Sequence, residues 1–145
     1  MHYRRTMQVA ALPEAVWDLL TDLEGWPRWT ASMERIDRLE PGPLQVGSRA
    51  MVQQPAGRPM EWTVTVLEPG RNFTWQASSG GMTFTGGHEL TPTELGVEAL
   101  LTFELSGPLA RLGALLAGRR IRRYVDLESE GLRRAAEGQA RRPPT

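Results

Sequence analysis

Cysteine and lysine are both missing from the 145 residues. Without cysteine there is no disulfide, no thiol nucleophile and no thiolate metal ligand. Without lysine, Schiff-base and lysine-base chemistry are excluded, and all 17 basic side chains are Arg. Histidine is scarce, at positions 2 and 88 only, so no metal site and no cofactor are expected. No apolar run approaches the roughly eighteen residues of a membrane span, and Arg4 and Arg5 are not followed by the apolar stretch of an export signal. The expectation is a cytoplasmic protein with no stable membrane insertion. The 17 acidic residues balance the 17 basic ones, so no global field draws the chain to nucleic acid or to an anionic membrane. No nucleic-acid partner is expected, and the protein is expected as a monomer or homodimer. At this length, without a composition break, a single domain over residues 1–138 is expected, with a disordered tail over 139–145.

The longest helical pattern runs over 107–138, with Pro108 near its start and Gly138 at its end. Its apolar residues fall in two sectors. Leu109, Leu112, Leu115 and Leu116 share one, while Ile121, Tyr124, Val125 and Leu132 centre more than a quarter-turn away. Either the helix kinks at Gly118, with Gly113 a second weak point, or one straight helix has both sectors buried by a wrapped sheet.

Ahead of it, Tyr3, Met7 and Val9 alternate with polar residues as a first strand. Arg5 shares the apolar parity and is placed at a frayed strand end. Pro13 opens a short helix carrying Val16, Leu19, Leu20 and Leu23, and a second helical turn reaches about Met33, with Trp26 and Trp29 as core anchors. From Glu34 onward short segments alternate with Gly and Pro turns, as in an antiparallel meander. Met60, Trp62, Val64 and Val66 form one apolar face, continued by Phe73, Trp75 and Ala77, by Met82, Phe84 and Leu90, and by Ala99, Leu101, Phe103 and Leu105. That face needs a cover, and the long helix is the one element able to supply it.

Several segments resemble the START-like, helix-grip superfamily, often called SRPBCC, which includes polyketide cyclase/dehydratases and lipid-transfer domains. The likeness is carried by residues 11–22 (ALPEAVWDLLTD), Trp26-Pro27-Arg28-Trp29, Val46-Gly47-Ser48, Trp62-Thr63-Val64 with Glu68-Pro69, Leu90-Thr91-Pro92 ahead of Gly96, and residues 107–112 (GPLARL). The resemblance implies an α+β fold in which a curved seven-stranded antiparallel sheet wraps a long C-terminal helix, with two short helices after the first strand. It also implies a cavity between sheet and helix for a small hydrophobic molecule such as a lipid, an aromatic or a polyketide-like compound. The expected lining is Trp62, Val64, Phe73, Trp75, Met82, Phe84, His88, Leu101 and Phe103 from the sheet, with Leu112, Leu116 and Tyr124 from the helix. Met33, Met51, Met60 and Met82 would give an adaptable wall.

Polar chemistry is sparse. His88 falls on the parity of Phe84 and Leu90 and so points inward, unless Gly86-Gly87 forms a bulge that turns it to solvent. His88 and Tyr124 are the candidate acid/base residues. Arg119, Arg120, Arg122 and Arg123 read as a solvated surface offset by Asp126, Glu128 and Glu130. Glu61 and Glu98 face outward and are rejected as a catalytic pair. Three functions remain open: a carrier or sensor of a hydrophobic ligand, a cofactor-independent cyclase or dehydratase, and an interaction or stress-response domain. Scarce inward titratable groups favour the first.

Overall fold

The alternation at the start of the chain becomes strand β1 (His2–Val9). Pro13, whose fixed φ and missing N–H suit a first helical turn, opens α1 (Pro13–Thr21). A 3₁₀ helix (Leu23–Arg28) follows, shorter than the turn expected to reach Met33. Then come β2 (Arg35–Arg38), β3 (Arg49–Gln53), β4 (Met60–Glu68), β5 (Asn72–Ser79), β6 (Met82–Thr93), β7 (Gly96–Ser106) and α2 (Ala110–Ala140). The structure, a computed structural model, describes residues 1–140. Gly138 does not take the positive φ of a helix-ending glycine, so α2 continues through Gln139 and Ala140. Those two residues of the expected tail are helical, and 141–145 lie outside the described residues.

The seven strands form one antiparallel sheet in the order β1-β7-β6-β5-β4-β3-β2. With α2 across one face, this is the α+β helix-grip architecture. Cross-strand partners share a face, so the pairs Val64 with Trp75, Phe73 with His88 and His88 with Leu101 set the inner surface. A register shift between Val64 and Val66 changes the parity of β4. Beyond it Leu67 pairs with Phe73, and Val66 pairs with Thr74 on the outer face, which corrects the placement of Val66 on the apolar side. Met51 also differs from expectation. It pairs with Glu61, while its neighbour Ala50 pairs with Trp62, so Met51 belongs to the outer face.

Gly86-Gly87 does not bulge: β5 and β6 pair without interruption from Asn72 with Glu89 to Ser79 with Met82. The glycines serve close packing instead. A Cβ on Gly86 would sit 3.2 Å from the Trp75 indole nitrogen, and one on Gly87 would meet the Thr102 hydroxyl. His88 therefore keeps its inward parity and is 3% exposed.

Arg5 is not at a frayed end. It sits within β1 opposite Leu101 and reaches Asp126 of α2 at 2.8 Å and Glu130 at 3.6 Å, while the Tyr3 hydroxyl donates to the same Asp126 oxygen at 2.8 Å. These polar bonds dock α2 on the edge strand.

α2 runs through Gly118 without a break, and the reading in which both apolar sectors are buried is corrected. Ile121, Val125, Leu132 and Ala136 are buried, but Leu109, Leu112, Leu115 and Leu116 are exposed. At about 100° per residue the side of the first half that faces the sheet carries Gly113, Ala114 and Ala117. Small side chains there leave room that larger ones would fill.

Candidate functional site

That room is a cavity of about 440 Å³, within the range of small-molecule pockets. Its walls come from the inner faces of β3 to β7, from the loop over residues 54–59, and from Gly113, Ala117, Ile121, Tyr124, Val125 and Glu128 of α2. Lining residues that are themselves exposed, Gly57, Arg58, Pro59, Ser79 and Arg120, mark its mouth. One wall is aromatic. Trp62 and Trp75 have ring centroids 5.2 Å apart, Trp75 lies 5.3 Å from Trp26, and Phe84 and Phe103 lie 6.1 Å apart. Trp26 is fully buried and donates its indole N–H to the Leu20 carbonyl at 3.0 Å, which ties the 3₁₀ helix to α1 beneath this wall.

The expected lining is partly reproduced in space. Trp62, Trp75, Met82, Phe84, His88, Leu101, Phe103 and Tyr124 all border the cavity. Val64 and Phe73 are buried in the core beneath it and do not border it. Leu112 and Leu116 are corrected: they are exposed and do not border the cavity, because their angular position averages about 100° from that of Gly113, Ala117 and Tyr124. Met33 and Met60 join Met82 in the lining, and Met51 does not.

The unexpected member is Glu128. Its Oε1 lies 2.6 Å from His88 Nε2, and His88 Nδ1 lies 2.9 Å from the Phe73 carbonyl oxygen. A carbonyl only accepts, so Nδ1 carries a hydrogen and donates it. The Nε2–Oε1 axis then holds one proton, either on Nε2 donating to the carboxylate or on the carboxyl donating to Nε2. The pair has zero net charge in both forms, which is how it is accommodated at 3% and 13% side-chain exposure. Trp26 and Phe73 flank the imidazole at 5.4 and 5.1 Å between ring centroids. Among the described residues, neither Glu128 Oε2 nor the Tyr124 hydroxyl has a hydrogen-bond partner. Tyr124 and Glu128 are four residues apart on one helix face, so both polar tips belong to the same stripe as the small residues.

Glu128 was assigned by composition to the acidic group offsetting the nearby arginines. Its helical phase, seven residues after Ile121, was the signal that places it inward. The loop over 54–59 carries turn residues only and offered no comparable signal.

A family model described as polyketide cyclase / dehydrase and lipid transport matches residues 1–137. The chain belongs to this family. As a member of the polyketide cyclase/dehydrase and lipid transport family it is a ligand-binding domain of the START-like superfamily, and the solved structures like it agree in fold. The hypothetical protein jhp0584 from Helicobacter pylori superposes with a TM-score of 0.77 at 14% identity, over 93% of this chain and 86% of that one. The di-domain ARO/CYC StfQ from the steffimycin biosynthetic pathway gives 0.75 at 15% identity, over 96% of this chain and 51% of that one. Among curated proteins, the uncharacterized protein Mb2604 of Mycobacterium bovis is 29% identical over 55 residues, which is 38% of this chain and 33% of that protein's length.

Proposed function

We propose that this family member binds a small hydrophobic ligand whose apolar body fills the cavity and whose hydroxyl or carbonyl meets His88, Glu128 and Tyr124. The observation that carries the reading is the cavity's make-up: aromatic and methionine walls around one buried polar pair. Burial of apolar ligand surface supplies most of the affinity, at roughly 25 cal/mol per Å² before binding costs. The polar pair sets orientation, because a ligand hydroxyl can donate to Glu128 Oε2 while the apolar walls accept no hydrogen bond.

The test is titration with phenylnaphthylamine, followed by quenching of Trp62 and Trp75. Ala117→Trp fills the cavity from the helix side and should weaken the probe at least about tenfold, whereas His88→Ala and Tyr124→Phe should each cost no more than one hydrogen bond's net 0.5 to 1.5 kcal/mol. Equal probe affinity in Ala117→Trp and the parent would refute the cavity as the binding site.

A second reading, a cofactor-independent cyclase or dehydratase, is favoured by the single proton on the His88–Glu128 axis. Such a pair can take a proton from a ligand carbon and return one to a departing hydroxyl, which leaves as water. Turnover falling by roughly 10²- to 10⁴-fold in Glu128→Gln, with probe affinity intact, would put this reading first.

A further inference from the structure

We propose that the outward face of the first half of α2 docks the protein onto an anionic bilayer surface, with the cavity mouth beside the contact. The inference does not depend on what the cavity holds. Leu109, Leu112, Leu115 and Leu116 are 47%, 52%, 82% and 76% exposed, a contiguous apolar stripe of the kind a monomeric soluble surface rarely keeps bare. At about 100° per residue, Leu112, Leu115 and Leu116 span roughly a 100° sector, and Arg119 and Arg123 fall inside it one and two turns later. The stripe is therefore leucine followed by arginine on one side of one helix.

Its charge identifies the partner. Between Leu105 and Val125 there are five arginines, Arg111, Arg119, Arg120, Arg122 and Arg123, and no acidic residue. All five are exposed, and none forms an ion pair among the described residues. The acidic residues that sequence reasoning assigned to offset them are engaged elsewhere: Asp126 and Glu130 by Arg5 of β1, Glu128 by His88. The balanced composition thus hides a local cationic field next to bare leucine. A second copy of the chain is a poor occupant, because an isologous contact would set five exposed arginines against themselves, and the carboxylates beside them, Asp126 and Glu130, already hold Arg5. An interface lined by anionic headgroups satisfies both halves of the stripe, with leucines entering the acyl boundary and guanidiniums meeting phosphates. Arg58 and Arg120, both exposed, add cationic side chains at the mouth. No helix among the described residues is long and apolar enough to cross a membrane, so the contact is a surface one.

The experiment is flotation of the full chain with vesicles of phosphatidylcholine alone and of phosphatidylcholine mixed with an equal part of phosphatidylglycerol. The parent should float with the anionic vesicles only, and less so as salt rises. Arg119→Gln/Arg123→Gln should lower the partition roughly thirtyfold, and Leu115→Ser/Leu116→Ser should lower it by at least about tenfold. Both double variants should bind phenylnaphthylamine like the parent, which reports an intact fold and an untouched cavity. The proposal is overturned if the parent fails to float with anionic vesicles, or if the leucine variant floats as well as the parent. It is equally overturned if sedimentation shows a dimer that the leucine variant abolishes while vesicles recruit nothing, which would assign the face to a second copy.

Discussion

The two halves of α2 share a backbone and differ in almost everything else. In the second half Val125, Leu132 and Ala136 are buried, Ser129 returns its hydroxyl to the Val125 carbonyl at 2.8 Å, and Gly131 lets the helix touch the Trp29 backbone. In the first half Gly113 and Ala117 open onto the cavity ahead of Ile121 and Tyr124, and Leu112, Leu115 and Leu116 point to solvent. One half grips and the other spans a void. The two roles meet over the middle turns, where Ile121, Tyr124, Val125 and Glu128 border the cavity, while Leu132 and Ala136 beyond them serve the core and do not border it.

This contrast predicts a graded series of effects on stability, measurable by denaturant unfolding. Leu132→Ala, at a fully buried position, should cost about 2 to 5 kcal/mol, and a loss under about 1 kcal/mol would show that the second half does not anchor the fold. Gly131→Ala should cost about 1 to 3 kcal/mol, because its Cβ would run into the Trp29 carbonyl oxygen and the helix must move away. Asp126→Asn should cost only about 0.2 to 1 kcal/mol, since Arg5 and Asp126 are both more than a third exposed. Leu115→Ser, which removes as much apolar side chain as Leu132→Ala exposes, should stay within about 0.5 kcal/mol because that leucine is already in water. Similar losses at Leu115 and Leu132 would erase the distinction between the halves.

Asp126 also makes a pH prediction at the junction. Its hydrogen bond to the Tyr3 hydroxyl, then burial, then its charge hold the Tyr3 pKa above the ordinary value of 10.0, against the smaller opposing influence of Arg5. A folded pKa raised above the unfolded one contributes stability below the ordinary value and loses it as pH rises through the folded value. Near-ultraviolet difference absorbance of the Asp126→Asn variant should show Tyr3 ionising at lower pH than in the parent. An unchanged titration would mean the Tyr3–Asp126 bond is not formed in solution.

The strands and the helix-grip order were legible because period-two alternation survives in β5 to β7 and in β4 as far as Val64, and because Pro13, Pro108 and the turn glycines punctuate the chain. The bulge at Val64 and Val66 was not, since one extra residue leaves no local mark on a run of β-branched side chains. His88 was readable only up to a choice between cavity and solvent; unbroken pairing of Gly86 with Trp75 and Gly87 with Thr74 resolves it inward. Leu112 and Leu116 were misplaced for an instructive reason: hydrophobic periodicity identifies an apolar stripe but does not say whether protein, ligand or lipid covers it.

By itself, then, the chain's own pattern determined the sheet, the helix and most of the cavity wall, because each depends on contacts between neighbours in sequence or on a period set by backbone geometry. Only the tertiary structure decided the rotation of α2 about its axis. That single angle puts Glu128 on His88, turns Asp126 and Glu130 to Arg5, and leaves the leucines and arginines outside. Nothing local in the helix sets it, because two apolar sectors compete. The choice falls to the long-range fit, where Gly131 sits against Trp29 and Leu132 is fully buried while the four leucines stay exposed.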